Sequence, residues 1–198
     1  MSGRRFAVTL ILALCAGSST AQELVSCAYS PVEVGADLVD QCAARTADGS
    51  FTVAPEAIRE HRFGAGNLAE VTIDKRLHWV NRRGRAVQAF VFDNGADYFV
   101  EGLARTVRDG KVGFVNEALE LVVPPTWDFA LPFSDGTAMV CLGCVRRPVT
   151  DRPHEEHFEM VGGRWGYIDT VGKVVVPVEY EKNSVPQPVK GQGQRGDA

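Results

Sequence analysis

The chain has 198 residues, with 21 Lys or Arg against 25 Asp or Glu and a formal net charge of −4. That balance leaves no basic face of the kind a nucleic-acid binder needs. The densest basic run, Arg82-Arg83-Gly84-Arg85, straddles a predicted turn, where charges are simply solvated.

Residues 1–21 read as an export leader. Arg4 and Arg5 supply the positive start and 6–16 is apolar. Ser19 and Ala21 put small residues at the −3 and −1 positions of a cleavage site. The apolar run falls short of the roughly 20 residues that span a bilayer, which disfavours a retained anchor. Lipidation at Cys15 is disfavoured because Leu14 stands where that signal wants a small residue, and the paired arginines lack the neighbours of a twin-arginine signal. The mature chain is expected to begin at Gln22, in the periplasm or medium of a bacterium, with no membrane span. Losing Arg4 and Arg5 leaves 19 basic against 25 acidic residues, a net charge of −6 on a chain sized for one domain.

Four of the five cysteines remain after cleavage: Cys27, Cys42, Cys141 and Cys144. An even number in an exported chain argues for two disulfides. Of the three pairings possible, Cys27 to Cys42 and Cys141 to Cys144 is adopted, because one pair precedes the repeats described next and the other lies inside them.

Residues 22–62 do not share the pattern that follows. Segments at 42–46 and 51–53 flank Ala47-Asp48-Gly49-Ser50, a hairpin signal, and Pro55 opens a run of helix formers to His61. The stretch reads as a cap of one hairpin and a short helix, of the sort that shields the end of a repeat array.

From Phe63 on, two patterns recur in phase. Phe63-x-x-Gly66, Phe99-x-x-Gly102 and Phe133-x-x-Gly136 lie 36 and 34 residues apart. Gly110-Lys111-Val112-Gly113-Phe114-Val115-Asn116 matches Gly163-Arg164-Trp165-Gly166-Tyr167-Ile168-Asp169 position for position. Residues 76–84 form a third, looser copy with His78 in place of the glycine. Each copy alternates like a pleated strand, and Asn81 with Gly84, or Asp169 with Gly172, then marks a type I turn. Leu119 replaces the turn glycine in the middle copy, which predicts a different turn there. Gly113 and Gly166 predict a close approach of neighbouring backbone, and His78 argues against one in the first copy.

At these residues, over about 63–181, the chain resembles the WG (KWG) repeat proteins, short exported bacterial type, named for the pair seen here at Trp165-Gly166. The resemblance implies an all-β fold of about three tandem units, each a twisted antiparallel sheet or hairpin, and brings no catalytic residue with it. Residues 63–182 form the repeat domain on this reading. Strands are predicted at 68–74, 77–81, 85–92, 103–108, 112–116, 119–123, 137–141, 164–169 and 173–176. Phe92, Trp127 and Tyr180 are equivalent in register and are assigned to the core, while 183–198, rich in Pro, Gln and Gly, reads as a disordered tail.

The last copy is longer than the middle one by eighteen or nineteen residues, which predicts an inserted loop at 142–161. It holds Cys141-x-x-Cys144, Arg146, Arg147, His154, Glu155, Glu156 and His157. Cys141, Cys144, His154 and His157 are ligand types for zinc, but H-x-x-H is shorter than zinc-site spacings and one residue short of a helical His pair. A thiol-redox site would set the C-x-x-C at a helix start, and Arg146-Arg147-Pro148 follows instead. The expectation is therefore a non-catalytic binding scaffold of the cell envelope, needing no cofactor and contacting a protein or ligand through Arg146, Arg147, His154, Glu155, Glu156 and His157. A metal or thiol-redox protein is the alternative.

Overall fold

The computed structural model describes residues 24–29, 37–92, 94–150 and 158–189. The leader, the quartet His154, Glu155, Glu156 and His157, and the tail beyond residue 189 lie outside them. Among the described residues the chain is all-β except for one short helix, α1 (Pro55–Glu60), and two single turns of 3-10 helix.

Strands β1 (Leu24–Tyr29), β2 (Asp37–Arg45), β3 (Phe51–Val53), β4 (Leu68–Ile73), β5 (Arg76–Asn81) and β6 (Arg85–Gln88) close a barrel in the order β1-β2-β3-β6-β5-β4. The turn between β2 and β3 is held by Asp48, whose carboxylate accepts from the Ser50 N–H and hydroxyl. Closure follows from the apolar phase: Phe51, Val53, Val71, Ile73, Val80 and Ala86 all point inward and pack with the Cys27–Cys42 bridge. Closing the sheet also removes its edges. The predicted boundary at 62/63 is thereby corrected. The expected cap is woven into the first repeat, with β1 paired to β4 and β3 to β6, and the sequence reading missed β1 altogether.

Two further units follow. The short hairpin β7 (Val91–Phe92) and β8 (Gly95–Ala96) leads to β9 (Leu103–Arg108), β10 (Lys111–Asn116) and β11 (Leu121–Trp127). Then come β12 (Phe129–Ala130), β13 (Thr137–Pro148), β14 (Phe158–Asp169) and β15 (Val174–Tyr180). Within each unit the strands are antiparallel neighbours in sequence order. One apolar core, with Phe114, Phe133, Ala138, Val140 and Ile168, runs through the second and third units, so neither buries its face alone.

All three copies turn in the same way, which corrects the expectation for the middle one. The side-chain oxygens of Asn81, Asn116 and Asp169 each accept two backbone N–H groups, two and four residues on. The fourth position is left-handed in each: Gly84 at φ 83°, Leu119 at 62° and Gly172 at 85°. A left-handed leucine costs about 1–2 kcal/mol. Leu119 offsets this by complete burial against Leu68, Val87 and Val115.

The glycines after Val112 and Trp165 answer to the partner strand. A Cβ on Gly166 would stand 2.5 Å from the carbonyl oxygens of both Val176 and Pro177, and one on Gly113 would clash with Val123 O and Pro125 N. At both places the register shifts, so that a bulge of the third strand presses onto the glycine. In the first copy His78 pairs regularly with Gln88, and its ring is buried edge-on to Phe51, 5.2 Å between centroids. Without the bulge, the chain after β6 takes another course. Phe92 is 52% exposed, whereas Trp127 is buried and Tyr180 half-buried, which corrects the assignment of all three rings to the core.

Successive units are sewn together where the third strand of one meets the first strand of the next. Phe90 N–H donates to Arg105 O, and Phe129 and Ala130 pair with Cys141 and Val140. At the first junction the buried Arg105 guanidinium makes two bonds to Asp97, at 2.8 and 2.7 Å, and a third to Ala130 O at 3.0 Å. Every partner needed to keep that charge pair buried is thus present. After the third unit the positions of Phe129 and Ala130 are taken by Lys182 and Asn183, which are exposed, and no further unit follows among the described residues. The chain from 183 to 189 is placed, correcting the expected disorder there: Val185 packs against the core cluster that holds Trp165, and Gln187 donates to the Tyr167 hydroxyl at 3.4 Å.

Candidate functional site: the β13–β14 ribbon and the cleft at its base

The predicted loop at 142–161 is instead a ribbon. β13 and β14 run on past the sheet, pairing Cys144 with Gly162, Val145 with Val161, Arg146 with Met160, Arg147 with Glu159 and Pro148 with Phe158. β12 covers β13 only at Val140 and Cys141, and β15 meets β14 only from Trp165 onward, so the extension is a two-stranded ladder. Sequence reasoning took the extra length for a loop because the middle copy has no counterpart to it.

Those glycines build the root. Residues i and i+3 of a flat strand face opposite sides. Gly143, at φ 75°, resets the alternation, so Cys141 and Cys144 face the same core and are joined there, with Cα atoms 6.1 Å apart. Gly163, at φ 70° on the facing strand, is equally required, since a Cβ there would meet Leu142 O at 2.7 Å. Asp128 holds Gly143 in place by accepting from its N–H at 2.6 Å, and the Lys111 ammonium, then this N–H, hold its carboxyl below the usual carboxylate range. Beneath the disulfide lies Trp165, with no exposed surface, its indole N–H bonded to Gly162 O at 2.8 Å. Phe129 and Met160 complete that core.

Above the root, Val145, Val149 and Phe158 are exposed, and the Arg146 guanidinium lies 3.7 Å from the centroid of the Phe158 ring. Arg147 pairs with Glu159 at 2.6 Å. Of the six predicted contact residues, Arg146 and Arg147 are therefore on the ribbon, while His154, Glu155, Glu156 and His157 fall outside the described residues. Bonded to each other, the sulfurs of Cys141 and Cys144 offer no thiolate to a metal or a redox partner. Among the described residues no three His, Cys, Asp or Glu converge as a metal-binding group.

A cleft of about 740 Å³ opens at the ribbon's base, between the stretch from Glu159 to Arg164 and the segment from Glu181 to Asn183. Arg164 and Lys182 line it, and neither was singled out from sequence. A signal was present: Lys182 and Asn183 are polar where the previous unit has Phe129 and Ala130.

A family profile described as WG containing repeat matches residues 113–143 and 165–182, which hold the two copies whose glycine lies under a bulge. The chain contains the WG repeat in these two segments. The matched segments hold Gly113 and Trp165-Gly166, and the stretch between them, 144–164, is most of the ribbon. No curated protein and no solved structure matches the chain. Among the described residues of this WG repeat protein no helix is long and apolar enough to cross a membrane.

Proposed function

We propose that this WG repeat protein is an exported scaffold of the bacterial cell envelope that acts by binding rather than catalysis, with the β13–β14 ribbon as the element that contacts its partner. One observation carries the reading: the ribbon leaves a buried, disulfide-bonded root and presents Val145, Val149 and Phe158 beside Arg146 and Arg147 to solvent. Aromatic rings and arginines, here Phe158 with Arg146 and Arg147, are enriched at protein interfaces, and a fixed root reduces the ordering entropy lost on contact. Export is supported by the leader pattern and by two disulfides, which persist in oxidising compartments. The metal or thiol-redox alternative requires the Cys141–Cys144 bond to open.

Replacing residues 146–159 by a short Gly-Ser linker, which keeps the buried Met160, tests the reading. The β-fold and melting temperature should hold while capture of partners from envelope extracts is lost. If the shortened protein recovers the same partners as the full chain, the ribbon is passive. N-terminal sequencing tests export: a start at Gln22 supports it, and a lipid-modified start at Cys15 opposes the soluble form. Stoichiometric zinc, with Cys141 and Cys144 alkylatable after chelation, would replace the disulfide by the metal reading.

A further inference from the structure

The cleft is bounded by a strand edge whose hydrogen-bonding groups are unequally used. β15 pairs with β14 only from Trp165 onward, so the outer edge before it has no strand neighbour among the described residues. Two of its carbonyls are occupied: Met160 O accepts from Lys182 Nζ at 3.3 Å and Gly162 O from Trp165 Nε1 at 2.8 Å. In an antiparallel strand a residue's N–H points to the same side as its C=O, so the carbonyl that reaches Lys182 brings an outward N–H with it. The edge thus offers outward N–H donors, and its Met160 carbonyl is held only by the exposed Lys182 side chain. The charges repeat the bias. Arg147 is paired with Glu159, which leaves Arg164 and Lys182 facing the cleft against Glu181 alone, in a chain whose net charge is −4.

The interior of the array supplies the precedent for what lies on such an edge. At the junction of the second and third units the outer edge of β13 is covered by β12, a short extended segment. The straight part of that edge, from Phe158 to Val161, is roughly 13 Å long at about 3.3 Å per residue, room for a short strand before the left-handed Gly162 and Gly163 turn the chain. A strand donated by the N-terminal end of a second copy does not fit, because residues 24–88 close into a barrel without a free edge.

We infer that the cleft accepts an extended segment of a partner protein, added as a strand along the outer edge of β14 with an acidic side chain set between Arg164 and Lys182. This rests on the proposed binding role of the ribbon and names its mode: backbone pairing provides affinity and the two cations select an acidic residue. Arg164 and Lys182 are exposed, so reversing their charge leaves the core intact.

A displayed library of random eight-residue segments, selected on the full oxidised chain, tests it. Enriched segments should carry Asp or Glu at one fixed position. The best of them, made synthetically, should bind at least tenfold more weakly to Arg164→Glu or Lys182→Glu protein of unchanged melting temperature. N-methylation at alternate residues should abolish binding in one phase and spare it in the other. No enrichment, enrichment without an acidic position, or binding that ignores charge reversal or N-methylation overturns strand addition. Its failure is distinct from that of the binding role: if no segment is selected but the linker-shortened chain loses its envelope partners, strand addition falls and the ribbon's role stands. Retained capture removes that role, on which strand addition depends.

Discussion

Gly166 is the position at which the repeat's defining pair can be tested against its physics. In Gly166→Ala the added methyl carbon would lie 2.5 Å from the carbonyl oxygens of Val176 and Pro177 and 2.8 Å from the Pro177 carbonyl carbon. All three are backbone atoms, so no rotamer change relieves the contact. β15 must move out by several tenths of an ångström, loosening its pairing with Tyr167 and Ile168 and the packing of Val176. Overpacking of this kind costs about 1–3 kcal/mol, and the backbone origin of the clash places Gly166→Ala at the upper end, about 3 kcal/mol. For a chain of this size that lowers the melting temperature by roughly 6–12 °C. The control is Gly136→Ala, where φ is 76° but nothing lies within 4 Å of the new methyl. It carries only the left-handed penalty, about 1–2 kcal/mol. Thermal unfolding by circular dichroism compares the two. If Gly166→Ala is no more destabilising than Gly136→Ala, close approach is not the reason for the Trp-Gly pair.

Three other outcomes follow from the geometry. Leu119→Gly, which restores the glycine of the other two turns, should lower stability by about 2 kcal/mol, since the lost burial outweighs the relieved backbone; a stabilised variant would show that the Leu119 side chain contributes little. His78, buried so that its folded pKa is lowered from 6.5 to about 4, is neutral in both states at neutral pH. The unfolded chain takes its proton first as pH falls, so stability present above pH 6.5 drains away toward pH 4, by about 3 kcal/mol in all. In chemical denaturation across that window, His78→Leu should lose correspondingly less than the wild type; equal losses would refute the assignment. Cys27→Ser with Cys42→Ser opens a bridge spanning 15 residues and should cost about 3 kcal/mol of barrel stability, read as a lowered denaturation midpoint.

Period and turn chemistry are local properties, and they were legible. The alternation from Trp165 to Asp169, the Asn or Asp that opens each turn, the glycine under each bulge and the early proline of α1 all act within a few residues of themselves. The sequence therefore determined an all-β chain of three similar units. The pairing Cys27 to Cys42 and Cys141 to Cys144, chosen by position in the chain, is the one the fold joins.

What the sequence left open depends on contacts between segments far apart. Nothing near Leu24 announces that β1 will pair with β4 and close a barrel, because that edge is satisfied only when the third dimension brings the two together. Leu119 looked unfit for its turn because its compensation is burial against Leu68 and Val87, more than thirty residues away. Phe92 matched Trp127 in register yet lies outside, since one residue, His78, removed the bulge that turns the equivalent ring inward. The insertion became a ribbon because three left-handed glycines let two strands kink together instead of ending. Arg164 and Lys182 share a cleft only because the chain folds back after β15, a contact no local pattern encodes.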